Sequence, residues 1–325
     1  MEALFTDLPI WLSFALFIIG GVIIAKAADY FVDAAVNVSA ATRLPKMLIG
    51  STIVSVATVT PEFSVSFIAT VQGRADVAIG NGIGSSIINI GLIAGICVLI
   101  RAVTVEKKKI LEQGIFMLAA GVLVYVLSIG GTLSRLDGGI LLAGLAAYLY
   151  YSTRTARAEM RDANLDAPPG EGQEINLGKQ FLIFTLGALG IIFGSALLVG
   201  NVTPIARFLG VPDLIIALTL VALGTSLPEL VVAVTAALKR HGELGIGNVI
   251  GANIMDIFWV LGNCSLYAPL TVTRQTLVLD YPFMLVLMGL LVVFRFTRHR
   301  IDRWEGGMLL GVLVIYLVLM FGYFT

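Results

Sequence analysis

Residues 223–229 read LGTSLPE, inside the otherwise apolar stretch LIIALTLVALGTSLPELVVAVTAAL (214–238). A degraded copy lies upstream, where residues 56–62 read VATVTPE within LIGSTIVSVATVTPEFSVSFIATV (48–71). Pro228 has no N–H, so in a helix the carbonyl of Gly224 loses its partner, and Pro61 does the same to Ala57. Broken backbone at membrane depth is tolerated where it lines a cavity or finds other partners. A charge at the bilayer centre costs at least ~2.5–3.5 kcal/mol, so an intramembrane glutamate defaults to function. Glu62 and Glu229, each behind a proline, therefore mark the centre of the molecule. The freed carbonyls, hydroxyls and carboxylates are hard oxygen donors, the set that suits Ca²⁺ or Na⁺.

The apolar setting is general. The 325 residues are 58% hydrophobic and 13% charged, with a mean hydropathy of +0.96. A soluble domain cannot hide that much apolar surface, so the chain reads as an all-α polytopic membrane protein. Two cysteines give no disulfide framework. The two histidines, His241 and His299, stand beside basic residues in predicted loops, which argues against an imidazole-based zinc site. The amino terminus lacks the basic region of a cleavable signal, so the first apolar run is expected to be a retained helix.

A span needs about 20 apolar residues. Runs of that length fall near 9–36, 47–72, 77–100, 110–129, 136–153, 180–206, 213–238, 245–268, 279–295 and 304–324. They predict ten transmembrane helices. With the amino terminus placed outside, the inside loops carry sixteen Lys and Arg, against Arg74, Arg135, Arg207 and Arg274 outside. That asymmetry puts both termini on the extracellular side. Within the first span, Lys26, Asp29 and Asp33 are one turn apart and are expected to pair with one another. The one long hydrophilic segment, 159–178, is acidic and rich in Pro and Gly, and reads as a flexible cytoplasmic linker. It separates residues 1–158 from 179–325.

The two halves are copies. At an offset of 167, residues 48–99 align without a gap to 215–266, with roughly a third of positions identical. Thr58, Pro61 and Glu62 fall on Thr225, Pro228 and Glu229. Ile79-Gly80-Asn81-x-Ile83-Gly84 falls on Ile246-Gly247-Asn248-x-Ile250-Gly251, Asn89 on Asp256 and Cys97 on Cys264. Five spans per half is an odd number, so the halves enter the membrane from opposite sides as two inverted five-helix repeats. Such repeats place a substrate site at their interface near the midplane. Inversion also sends Cys97 and Cys264 towards opposite faces, where they cannot form a disulfide together. The glycines opening each third span allow close helix packing. Asn89 and Asp256 sit about a turn deeper, able to face the glutamates' cavity.

At these residues the sequence resembles the calcium/cation antiporter superfamily, and within it the prokaryotic sodium/calcium exchangers. The likeness rests on GTSLPE with GNVIGANIMDI in the second half, and on ATVTPE with GNGIGSSIINI in the first. The resemblance implies ten helices, with spans 2, 3, 7 and 8 forming the site and the first and sixth helices sliding to alternate access. It makes Glu62 and Glu229 shared Ca²⁺ and Na⁺ ligands, with Thr58 and Thr225 as carbonyl donors. Ser226, Asn89 and Asp256 would surround the central position, and Ser85 and Ala222 would border flanking Na⁺ positions. Val59 stands where the family has a liganding hydroxyl, and Ala252 where it often has serine. Ser55, at an alanine position, is placed to restore one oxygen. The expected cargo is Ca²⁺ and Na⁺, with H⁺ as the alternative partner and Mg²⁺ or Mn²⁺ as alternative divalent ions. No cofactor and no nucleic acid are implied. The surroundings are the lipid bilayer of the cell membrane, and no obligate protein partner is evident, which is compatible with a monomer.

Three carboxylates, Glu62, Glu229 and Asp256, offer three negative charges to a low-dielectric cavity. One Ca²⁺ leaves one charge over, so one carboxyl, with Asp256 the best candidate, is expected to be protonated when Ca²⁺ is bound. Three Na⁺ would neutralise all three. An ion channel is disfavoured by the inverted repeat, an intramembrane enzyme by the want of a nucleophile–base set, and a receptor by the want of an extramembrane domain.

Overall fold

A computed structural model describes residues 9–165, 176–209, 224–297 and 300–324. Helix α1 (Ile10–Thr42) ends at Arg43, whose left-handed φ of 56° turns the chain. Helix α2 runs over Lys46–Val71. Helix α3 passes from Ala75–Ile88 through a π turn, Asn89–Ala94, into Gly95–Ile100. There follow α4 (Lys107–Ser128), α5 (Arg135–Leu165), α6 (Leu177–Phe208) and α7 (Leu227–Leu238). Helix α8 repeats the form of α3: Gly242–Met255, a π turn at Asp256–Leu261, then Gly262–Tyr267. Helix α9 opens with a π turn, Thr276–Asp280, and continues as Tyr281–Thr297, and α10 is Arg303–Phe324.

Eight helices among the described residues are long and apolar enough to cross a membrane. The two remaining predicted spans fall on α5 and α7. Helix α5 extends well beyond residue 153, to Leu165, into the segment read as a linker. Helix α7 is a shorter apolar helix, and the predicted span begins ahead of the described residues. Trp11, Ile18, Phe193, Leu186 and Val318 are among the large apolar side chains left exposed, as a lipid-facing surface requires.

Helix α8 is the axis: 94% of its most apolar window is buried inside the protein, against 17% for α1. It is enclosed because glycines let other backbones reach it. A Cβ on Gly247 would collide with the backbone of Met47, and one on Gly251 with that of Ser51, so α2 and α8 run side by side in parallel. Helix α3 crosses α8 antiparallel, with Gly82 against Leu261, Asn89 against Asn253 and Asp256, and Cys97 against Gly245. Helices α1 and α6 form a second antiparallel pair through Gly20 with Gly194, Ala27 with Gly190, and Phe31 with Gly187. Small residues are what allow helices to approach this closely in lipid. Short strands Thr132–Leu133 and Leu270–Thr271 pair antiparallel, and Val103 bridges to Ile301.

Two sequence expectations change here. The helix around Pro61 is not broken: α2 runs through it, and its distortion lies a turn and more upstream as a π turn at Gly50–Val54. Only the second copy breaks, with a turn at Ser226 and Pro228 in the first turn of α7. Asp29 and Asp33 do not pair with Lys26, which is exposed. Both reach Lys239 at the end of α7, at 3.4 and 2.8 Å, and the same ammonium donates to the Asp29 carbonyl at 2.9 Å. Pairs this open to solvent contribute ~0–1 kcal/mol. Lys239→Gln is accordingly expected to leave the melting temperature of detergent-purified protein almost unchanged, and a drop of more than about 5 °C would show a stronger clasp.

Cys97 and Cys264 are free, as expected. His241, at the start of α8, is held below the usual imidazole range by burial first and by Lys46 next. His299 and Ala222 lie outside the described residues.

Candidate functional site

The site is built where α2, α3, α7 and α8 meet. Glu62, Glu229 and Asp256 are each 1% exposed or less. Glu62 lies within electrostatic reach of both other carboxylates and beside the Ser226 hydroxyl, and Asp256 within reach of Glu229. Thr58, Ser55, Ser85, Asn89 and Ser226 are buried with them, and Thr225 is half-buried.

Two hydrogen bonds cross between the halves and mirror each other. Thr58 Oγ1 donates to Asn248 Oδ1 at 3.2 Å, and Thr225 Oγ1 donates to Asn81 Oδ1 at 3.2 Å. All four residues are related by the offset of 167. These bonds occupy both threonine hydroxyls. Asn81 also donates to the Glu62 carbonyl at 3.3 Å and to Ser66 Oγ at 2.9 Å. Asn89 Nδ2 spans to Asn253 Oδ1 at 3.4 Å and Asp256 Oδ2 at 3.3 Å, joining α3 to α8. The Ser55 hydroxyl donates to the Thr52 carbonyl at 3.0 Å.

What distinguishes the place is what is left over. Both carboxylate oxygens of Glu62 and of Glu229, Asp256 Oδ1, Asn89 Oδ1, and the hydroxyls of Ser85 and Ser226 are buried without a hydrogen-bond partner. Buried polar groups are normally paired, and leaving one unpaired costs about 1–3 kcal/mol, more for a charge. An ensemble of six such residues, all oxygen donors, is complementary to a hard cation. Among the described residues no three His, Cys, Asp or Glu side chains come together as a metal-holding group. A cation here would therefore draw on amides, hydroxyls and carbonyls as well as carboxylates. Ala252, fully buried, adds no oxygen, and Val59 packs into the apolar core.

Two features escaped the sequence. The π turns begin at Asn89 and at Asp256, residues that the sequence had singled out for their chemistry alone. π turns occur mostly as single insertions in helices, often at functional sites. The second is an aromatic ladder beside the carboxylates. Phe63, next to Glu62, stacks on Trp259 with centroids 4.6 Å apart and planes at 4°, then on Phe67 at 5.5 Å, and Phe67 meets Tyr267 edge-on at 5.6 Å. Adjacent phenylalanines four apart were its only sequence trace. On the flank, Phe31 of α1 and Ile191 and Ile192 of α6 face Thr58 and Pro228 across a narrow apolar crevice.

Comparison with known proteins agrees with this architecture. The profile of the family described as "Sodium/calcium exchanger protein" matches residues 12–154 and 179–322. The sodium/calcium exchanger MaX1 of Methanosarcina acetivorans is 32% identical over 348 residues, covering 96% of this chain and 99% of that protein. The inner membrane protein YrbG of Escherichia coli is 31% identical over 318 residues, covering 95% and 97%. Among solved structures, the sodium-calcium exchanger NCX_Mj soaked with 2.5 mM Na⁺ and 0.1 mM Ca²⁺ superposes with a TM-score of 0.82 at 28% identity, covering 97% of this chain and 99% of that one.

Proposed function

The chain belongs to the sodium/calcium exchanger protein family, and on that premise we propose that it is a secondary antiporter exchanging Ca²⁺ for Na⁺ across the cytoplasmic membrane by alternating access. The observation that carries this reading is the buried set of partnerless oxygens on Glu62, Glu229, Asp256, Asn89, Ser85 and Ser226. Glu62 and Glu229 serve as the shared ligands. Thr58 and Thr225, whose hydroxyls are spent on the two asparagines, contribute backbone carbonyls. Asn89, Asp256 and Ser226 complete the central position, and Ser85, Ser55 and Ala222 border the flanking ones.

The two halves, 1–158 and 179–325, act as inverted five-helix repeats joined by the 159–178 linker, with both termini outside. In support, the repeat-related helices α3 and α8 run antiparallel, as do α1 and α6. The elements 75–100 and 242–267 share every internal boundary at the offset of 167. At the crevice beside Thr58 and Pro228 the α1–α6 pair presents apolar side chains, Phe31, Ala188, Ile191 and Ile192, a face suited to sliding, and the tie from Lys239 to Asp29 and Asp33 is a polar contact that such motion has to break. Sliding would open the site to one side while closing the other.

One Ca²⁺ balances two of the three carboxylates. Asp256 Oδ2 accepts from Asn89, which leaves Oδ1 to carry a proton while Ca²⁺ is bound. Asp256→Asn is expected to keep half-saturating Ca²⁺ within about threefold of wild type at neutral pH, since it replaces a neutral group by a neutral group. A loss of a hundredfold in ⁴⁵Ca²⁺ uptake assays would sink this charge assignment.

A second reading, H⁺ replacing part of the Na⁺, is favoured by Val59 and Ala252, which remove hydroxyls from positions flanking the centre. Proteoliposome ⁴⁵Ca²⁺ uptake under an outward Na⁺ gradient, against uptake under a pH gradient alone, separates the two. Uptake driven only by the pH gradient would replace the Na⁺-coupled reading, and uptake under neither would remove Ca²⁺ as the cargo.

A further inference from the structure

We propose that Tyr148 of α5, set by Gln113 of α4, is a positioning residue for the cation site: its hydroxyl holds the Ser51 carbonyl and so fixes the register of α2 against α8. The proposal rests on the exchanger reading above. In an α-helix the Ser55 amide would bond Ser51. Here, across the π turn, it goes to the carbonyls of Gly50 and Thr52 instead. The Ser51 carbonyl accepts from Tyr148 Oη at 2.7 Å. Tyr148 Oη also lies 2.9 Å from the Gln113 side-chain amide. That contact is to Gln113 Oε1, an acceptor, so the single phenol proton is shared between it and the Ser51 carbonyl, the shorter of the two, and the pair of contacts fixes where the hydroxyl sits. Tyr148 and Ser51 are fully buried and Gln113 is 4% exposed.

Ser51 is also where α8 touches α2, because Gly251 has no side chain to hold it off. A chain of bonds leads from there to the ligands. Ser55 Oγ donates to the carbonyl of Thr52, the Thr58 hydroxyl lies 3.3 Å from the Ser55 carbonyl while donating to Asn248 Oδ1 across the halves, and Glu62 follows one turn on. Losing the Tyr148 bond frees the π turn to relax towards α-helix, which rotates everything beyond it. The second half carries a related pair: Asp280, 167 residues after Gln113, accepts from Tyr316 Oη at 3.1 Å. A tyrosine clamping the helix before it in the bundle thus occurs in both halves.

The test is Tyr148→Phe, read both as cation-dependent thermal shift in detergent and as ⁴⁵Ca²⁺ exchange. Outer groups that orient ligands change metal affinity by about 10–100-fold. Half-saturating Ca²⁺ is expected to rise about tenfold, with the maximal rate within about threefold. Gln113→Leu, which leaves the bond to Ser51 in place, is expected to raise it by about threefold, and it carries the test if Tyr148→Phe does not fold. A lowered melting temperature with unchanged half-saturation in either variant would make the clamp merely structural and overturn the proposal. Wild-type protein that responds to no cation would remove the exchanger reading itself, and the positioning role with it.

Discussion

Glu229→Gln is expected to abolish Na⁺-driven Ca²⁺ uptake, lowering the rate by at least about 100-fold. Glutamine keeps the shape but removes the charge and one strong acceptor from a site that is fully buried. Charge-assisted contacts are worth roughly 1.5–3 kcal/mol each, and a divalent ion stripped of water depends on them. About 2.8 kcal/mol corresponds to 100-fold. The same variant should melt no lower than wild type in the absence of cations, because it relieves a buried, partnerless carboxylate. Opposite signs in the two measurements would separate a ligand from a packing residue. Uptake above about a tenth of the wild-type rate would remove Glu229 from the site. Glu62→Gln should behave alike, since Glu62 is equally buried and equally without partners.

Gly251→Ala is the second large effect. Its Cβ would stand 2.5 Å from Ser51 Cα and 2.6 Å from Ser51 C. Both are backbone atoms, and no rotamer change can clear them. Overpacking of this kind costs about 1–3 kcal/mol where side chains can yield, and more where they cannot. Here the clash also pries α2 from α8, so folded yield and exchange should fall together, the surviving protein losing more than about 90% of its uptake. Size-exclusion profiles and melting curves check the first part, proteoliposomes the second. Gly289→Ala on α9 is the control: nothing lies within 4 Å of its added Cβ, and alanine favours helix by about 1 kcal/mol. Wild-type behaviour of Gly251→Ala would mean that the α2–α8 seam can open without penalty.

Much of this was legible because the membrane makes chemistry conspicuous. Two glutamates in apolar runs, repeated at a fixed offset, needed no three-dimensional information to be paired, and the structure places them within reach of each other and of Asp256. The glycines of the second GN-x-x-G copy were legible for the same reason, and Gly247 and Gly251 do admit a backbone. What misled was proline. In sequence Pro61 and Pro228 are equivalent breakers, yet α2 runs on through Pro61, its π turn lying upstream at Gly50–Val54, while the chain turns at Ser226 before Pro228. A π turn has no composition of its own, so Asn89 and Asp256 announced their polarity and not the distortion they begin. Asp29 and Asp33 were assigned the nearest lysine along the helix. Their partner, Lys239, is more than 200 residues away, a pairing that local spacing cannot reveal.

The π turns at Asn89–Ala94 and Asp256–Leu261 occupy the same six positions of their respective halves. Such turns are rare and occur mostly as single-turn bulges inside α-helices, frequently at functional sites. Two independent insertions at one register are far less economical than a single one copied. One distorted helix present in both halves at a single register of the internal repeat accounts for the pair with one such event instead of two.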